Sequence, residues 1–207
     1  MKFTRLVLGE LATNCYILDI GNQQAIAVDI GNGAATLIRE LEKNNLQLKA
    51  ILLTHGHYDH VAGVEAVRKI TGAEVYIHEK DAVMLESGEA NLSWQLTNEA
   101  YCPVEIYHTL QDGAVLEFNH QKIQVMHTPG HTSGGVCYLT EEIMFSGDTL
   151  FKGSIGRTDL GGNQAEMMQS LRKISALEKN YQVCPGHFDT STLDEEKNYN
   201  PYLRNFS

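Results

Sequence analysis

The pattern of hydrophobic and polar positions opens the chain as strands. Phe3–Leu8, Tyr16–Ile20 and Ala25–Ile30 are short apolar-rich runs, and Asn14, Gly21-Asn22 and Gly31-Asn32-Gly33 punctuate them. Ala34–Lys43 follows with Leu37, Ile38 and Leu41 on one helical face. Leu48–Leu53 is an apolar run that reads as a strand buried on both faces, and it stops at Thr54. Val61, Val64, Val67 and Ile70 then recur every three residues and predict a helix packed on that strand. Glu74–Ile77 predicts a further strand and Lys80–Leu85 a short helix.

The second half repeats the habit. Ala114–Phe118, Lys122–His127, Val136–Leu139 and Ile143–Phe145 predict strands. Gln164–Leu177 predicts a helix with Met167, Leu171 and Ile174 on one face, Tyr181–Cys184 a last strand, and the tail from Asp194 one helical turn. Strands followed by β-α alternation, twice over, predict two similar layered halves of an α/β (α+β) fold. No linker rich in Pro, Gly or Ser divides them, so 1–207 reads as one domain. Residues 86–103 lack periodicity and hold the sole Trp, Trp94. They read as a loop or lid of functional length, or as a solvated excursion that Trp94 anchors.

The chemistry gathers where the buried strand ends. His55, His57, Asp59 and His60 fall within six residues of one another. Borderline transition metals favour imidazole and carboxylate ligands. A loop at a strand end can turn such side chains into one pocket, whereas a strand would send neighbours to opposite faces. His131, Asp148 and His187 each stand beside a Gly at the end of another apolar strand. Strand ends are where α/β folds collect functional side chains, and four such stations in one chain imply a shared site. No Gly-x-Ser-x-Gly elbow and no Cys beside a His supplies a nucleophile.

Composition narrows the partners. A net charge of −10, from 26 acidic and 16 basic side chains, disfavours nucleic acid and anionic membrane, which want a basic surface. Cys15, Cys102, Cys137 and Cys184 are too scattered for a C-x-x-C motif and suggest a reducing compartment. The N-terminal apolar run is too short for a signal peptide, and no stretch approaches the ~20 residues that span a bilayer. The expectation is a soluble cytoplasmic protein.

H-x-H-x-D-H at 55–60, followed by single His, Asp and His stations, resembles the metallo-β-lactamase superfamily. In spacing it is similar to the compact hydroxyacylglutathione hydrolase (glyoxalase II) branch. The resemblance runs from the N-terminal strands to Glu195, Glu196 and Asn200-Pro201. It implies a four-layer αββα sandwich and two divalent metal ions, zinc first, with iron or manganese as alternatives. His55, His57 and His131 would hold one ion, Asp59, His60 and His187 the other, and Asp148 would bridge them. Asp59 and Asp148 would be the catalytic acids. Asp59 would ligate the second ion or, in a mono-metal enzyme, orient water as a base.

The implied activity is hydrolysis of a small-molecule thioester of the S-2-hydroxyacylglutathione type by a metal-bridging hydroxide. Asp29 resembles an acid that orients the ligand loop from behind. Arg157 is a candidate contact for a substrate carboxylate, or an ion-pair partner of Asp159. His127 reads as a strand-end residue behind the site, and His78, His108 and His120 as surface or strand-end residues. The twenty residues after His187 are net acidic and imply a chain without the C-terminal helical region that reads glutathione. Two alternatives stand beside this reading. One is a mono-iron persulfide dioxygenase, suggested by Gly156-Arg157-Thr158-Asp159, using His55, His57 or His131, and Asp148. The other is a superfamily hydrolase acting on lactones, β-lactams or phosphoesters.

Overall fold

The computed structural model describes residues 2–97, 100–204 and 206. Two six-stranded sheets lie face to face. The first contains β1 (Lys2–Leu8), β2 (Thr13–Gly21), β3 (Gln24–Val28), β4 (Gln47–Leu52), β5 (Glu74–His78) and β6 (His108–Leu110), in that spatial order. The second contains β7 (Val115–Phe118), β8 (Gln121–His127), β9 (Val136–Leu139), β10 (Ile143–Gly147), β13 (Gln182–Pro185) and β14 (Ser191–Thr192). Its spatial order is β14-β13-β10-β9-β8-β7. A small hairpin, β11 (Leu150–Phe151) and β12 (Ser154–Ile155), stands apart.

The layering follows from strand alternation. Along β4 and its exit, Ala50 and Leu52 face the second sheet, while Ile51 and Leu53 face the outer helices. Both faces are covered, which is why this segment reads as an apolar run rather than an alternation. Between the sheets Tyr16, Leu18, Ile26 and Leu52 pack on Val125, Tyr138 and Phe145. Outside the first sheet lie α1 (Ala34–Lys43) and α3 (Val64–Thr71), which bury Leu37, Leu41, Val64 and Val67. Outside the second lie α5 (Gln164–Ser175) and α6 (Leu193–Tyr199), which bury Met167, Leu171, Ile174 and Leu193. The result is the αββα sandwich. Among the described residues no helix is long and apolar enough to cross a membrane.

Several boundaries differ from the hydrophobic reading. The helix expected through Val61–Ile70 is two pieces, α2 (Tyr58–Val61) and α3, and Ile70 is exposed. A strict three-residue spacing drifts around a helix of ~3.6 residues per turn, so Ile70 lands far from Val61. Lys80–Leu85 is a 3-10 helix spanning Glu79–Leu85, and the 86–103 segment contains a short α4 (Ser93–Leu96). Trp94 is 68% exposed with its indole edge against Gly88, while Leu92 and Leu96 turn toward the interior of the segment. The tail forms a fuller helix than one turn, since Thr192 and Glu195 make a reciprocal capping box. The three buried cysteines and the exposed Cys102 are free thiols.

Candidate metal centre

The centre lies where strand ends of both sheets meet. After β4 the backbone N–H and hydroxyl of Thr54 donate to Asp29 at 2.8 and 2.7 Å. The Thr54 carbonyl accepts from Val136 N at 2.9 Å, and Tyr138 Oη donates to Leu53 O at 2.9 Å. The β4 exit is thereby tied to both sheets. The following loop brings His55, His57, Asp59 and His60 together. His131 follows β8, Asp148 follows β10 and His187 follows β13.

These seven side chains converge. Ligand-type atoms of His55, His57 and His131 lie within 4.8 Å of one another, as do those of Asp59, His60 and His187. Asp148 reaches both groups: its carboxylate is 3.4 Å from His60 Nε2 and 3.5 Å from both His131 Nε2 and His187 Nε2. His57 Nδ1 and His131 Nε2 stand 2.8 Å apart, and His187 Nε2 is 3.1 Å from Asp59 Oδ2.

Four of the five imidazoles present one nitrogen inward while the other is held from behind. His55 Nδ1 meets Thr54 Oγ1 at 3.2 Å, and His60 Nδ1 meets Asp29 Oδ2 at 2.9 Å. His131 Nδ1 donates to the Arg157 carbonyl at 2.7 Å, and His57 bonds to the Leu160 backbone. Partners of this kind fix ring orientation and tautomer at metal sites.

The inward atoms fit a cation. His55 Nε2 and Asp148 Oδ1 are buried with no hydrogen-bond partner. Each such orphan costs about 1–3 kcal/mol, and a set of converging lone pairs is relieved by a positive ion. The electrostatics divide the site. Burial and the neighbouring imidazoles hold His55 well below its usual range, and burial with His131 takes His57 down to about 3. Burial also opposes charge on His60, but Asp59, Asp148 and Asp29 outweigh it and raise the ring to about 10. Burial would push Asp59 up, yet His60 and His187 hold it below the carboxylate range. His55 and His57 are thus held as neutral donors, and the group of Asp59, His60 and His187 attracts positive charge.

Three supports escaped the sequence reading. Asp81, in the 3-10 helix, is fully buried and accepts from Gly56 N at 3.2 Å, Thr132 Oγ1 at 2.7 Å and Gly134 N at 2.6 Å. It ties the His55–His57 turn to the loop of His131. Asn14 Nδ2 donates to the carbonyls of Pro185 and Phe188, both at 2.9 Å, and so holds the His187 loop. Thr13 Oγ1 donates to Asp59 Oδ2 at 3.1 Å. No local motif marks these residues, since each partner is distant in sequence.

Other residues lie elsewhere. His127 stacks on His78 at 4.1 Å with the rings 3° from parallel, and its Nε2 donates to Ser133 O at 2.9 Å. His78 ends β5 but is buried, not on the surface, because that stacking covers it. His108 stacks on Tyr76, and His120 sits in the β7–β8 turn. Arg157 stands at the rim, where its guanidinium forks onto Asp159 with two 2.6 Å bonds.

Above the seven residues opens a cavity of about 420 Å³. His57, Asp59, His131, Asp148 and His187 form its floor, and Leu11, Leu92, Leu96, Phe151, Leu160 and Phe188 line much of its wall. The segment 86–103 thus supplies part of the wall through Leu92 and Leu96.

Comparisons with known proteins agree with this geometry. The chain is 38% identical to the BLEG-1 B3 metallo-beta-lactamase, with a TM-score of 0.93 over 98% of this chain and 99% of that one. It is 32% identical to TTHA1623, crystallised in a di-iron-bound form, with a TM-score of 0.86 over 97% and 100%. The hydroxyacylglutathione hydrolase GloC of Haemophilus influenzae is 34% identical over 94% of both chains. The sequence model of the metallo-beta-lactamase superfamily matches residues 8–187, and the chain belongs to that superfamily.

Proposed function

We propose that this protein is a dinuclear metal-dependent thioester hydrolase, working as one domain on 2-hydroxyacyl thioesters of the S-2-hydroxyacylglutathione type. His55, His57 and His131 would hold one ion, Asp59, His60 and His187 the other, and Asp148 would be shared. Zinc is the first candidate metal, with iron or manganese suited to the same donors.

The observation that carries the choice of thioester is the cavity wall. Beyond the proposed ligands, its polar side chains among the described residues are Ser154 and Arg157. Neither a hydroxyl nor a guanidinium, with its pKa above ~12, is an acid at neutral pH. The wall therefore hands no proton to a leaving group. A thiolate, whose thiol has a pKa of ~8.5, departs readily without one, whereas an amine or alkoxide anion is far more basic.

Divalent metals bound here would ionise water near neutral pH and polarise the acyl carbonyl. The chain does the rest. Asp59 and Asp148 supply the negative charge that draws the metals in. The Arg157 carbonyl keeps His131 aimed inward, and its guanidinium stands at the rim with its fork on Asp159. Leu92, Leu96 and Phe151 exclude water from the bound acyl group. The likeness to GloC supports the same reading. Free, scattered cysteines support the cytoplasm as its place of work.

A second reading, hydrolysis of a β-lactam ring, is favoured by the likeness to BLEG-1. One experiment separates them. Purified protein is analysed for metals per chain and offered S-lactoylglutathione, a cephalosporin, and glutathione persulfide with oxygen uptake recorded. Two metals with thioester turnover support the proposal. Faster cephalosporin turnover would install the second reading. One iron per chain with oxygen consumption would overturn both.

A further inference from the structure

Three cavities meet at the candidate centre. The central one, about 420 Å³, is flanked by one of about 340 Å³ with which it shares Leu11, Asp59 and Leu96. On the other side it adjoins one of about 310 Å³, sharing His57, Leu92 and Leu160. The seven residues therefore lie at the middle of a groove. A thioester centred on its acyl carbon sends its thiol arm along one branch or out past the rim.

Each route has the same electrostatic character. The branch beside Asp59 carries Glu10, and the branch beside His57 carries Asp159. Of the lysine and arginine side chains among the described residues, Arg157 alone lines the three cavities. Its Nε and Nη2 donate to the two carboxylate oxygens of Asp159. That fork is the edge with which an arginine grips a substrate carboxylate. Asp159 occupies it.

The rim points the same way. Phe188 is 69% exposed and its φ is 66°, a conformation that is strained for a bulky residue. Asn14 and Arg5 hold it there by donating to its carbonyl at 2.9 and 3.2 Å. Its ring stands edge-on to Phe151 at 5.4 Å, and both rings border the central cavity. Backbone strain is thus maintained to present an aromatic surface to whatever crosses the rim.

We propose that the site selects thioesters whose thiol arm is apolar and uncharged, and that Asp159 enforces the choice by closing the one cationic contact on the wall. This rests on the thioester reading and departs from it in the thiol arm, which is uncharged in place of glutathione. A glutathione arm carries two carboxylates and one ammonium, a net charge of −1. Along this groove its carboxylates meet Glu10, Asp159 or aromatic rings, and a charge-assisted contact that goes unmade costs about tenfold or more in affinity.

The test compares two substrates with the same acyl group, S-lactoylglutathione and the lactoyl thioester of N-acetylcysteamine, whose thiol is uncharged. The uncharged thioester should have a kcat/KM at least about tenfold higher. Asp159→Asn, a change in an exposed ion pair, should shift the selectivity ratio toward the glutathione thioester by about fivefold, mostly through KM. Preference of the unmutated protein for the glutathione thioester would overturn the proposal and leave the thioester reading standing. An unshifted ratio in Asp159→Asn would overturn the role of Asp159. Turnover of neither thioester would bring down the inference together with the reading beneath it.

Discussion

The two sheets contribute to the centre in different ways. The first sheet supplies His55, His57, Asp59 and His60 from one loop. The second supplies His131, Asp148 and His187 from three loops. Two buried carboxylates hold the first loop from behind: Asp29 grips Thr54 and His60, and Asp81 grips Gly56. The second-sheet loop of His131 shares the Asp81 clamp through Thr132 and Gly134, and main-chain carbonyls aim the ligands of these loops. His131 is aimed by the Arg157 carbonyl, and the loop of His187 by carbonyls bonded to Asn14. Asp148 is boxed in by glycines: a Cβ at Gly156 would overlap the Asp148 carbonyl, and one at Gly186 its carboxylate. Four donors in one turn need clamps to keep them aimed together. Three donors from separate loops need room to approach.

The largest expected effect comes from removing the residue that joins the two contributions. Asp148→Ala should lower turnover by at least ~100-fold, beyond the usual effect of groups that merely orient ligands. Its metal content should also fall from two ions per chain toward one. Near-normal kcat in that variant would break the shared-centre account. Gly156→Ala tests the packing of the second-sheet loops. Forcing a methyl against the Asp148 backbone should cost about 1–3 kcal/mol in denaturant unfolding. Activity should fall with it. A variant as stable as its parent would show that room at this point is not needed.

Asp81→Asn tests the clamp on the first loop. The amide presents N–H to at least one of the three donors that Asp81 now satisfies. Metal affinity should weaken about 10–100-fold. Chelator competition should show the His55–His57–His131 group affected more than the other. Equal weakening of both ions would mean that Asp81 does not act through the His55–His57 turn.

How far the centre could be read from the sequence follows the same division. The 55–60 motif is legible because four ligand-type side chains crowd into one turn after a buried strand. His131, Asp148 and His187 are each ordinary alone and gain meaning only together. Asp81, Asn14 and the carbonyl of Arg157 were not legible. Their partners are brought near by the fold, and a carbonyl has no side-chain signature. For the fold, β4 was found because both its faces are apolar, and α5 because Met167, Leu171 and Ile174 share one face. The two-residue strands β11, β12 and β14 are too short for periodicity to register.

The smallest expected effect lies away from both sets of loops and serves as their control. Glu65 is 2% exposed, and hydrogen bonds from Arg68, with Lys69 beside it, hold its carboxyl at about 2, below the ordinary 4.5. Its folded pKa is depressed, so its contribution is complete above pH 4.5 and fades as pH falls toward about 2. Glu65→Gln should therefore cost on the order of 2 kcal/mol at neutral pH once solvent screening is allowed for, and almost nothing at the acid end. Metal content should not change. Loss of metal in this variant would mean that the outer helices help to hold the first loop.

Side chains from both sheets are proposed to form one centre of two metal ions that hydrolyses thioesters. This is tested most directly by titrating metal-free protein with zinc while recording hydrolysis of the lactoyl thioester of N-acetylcysteamine. Activity should rise to a break at two equivalents per chain. Full activity at one equivalent would contradict the two-ion centre.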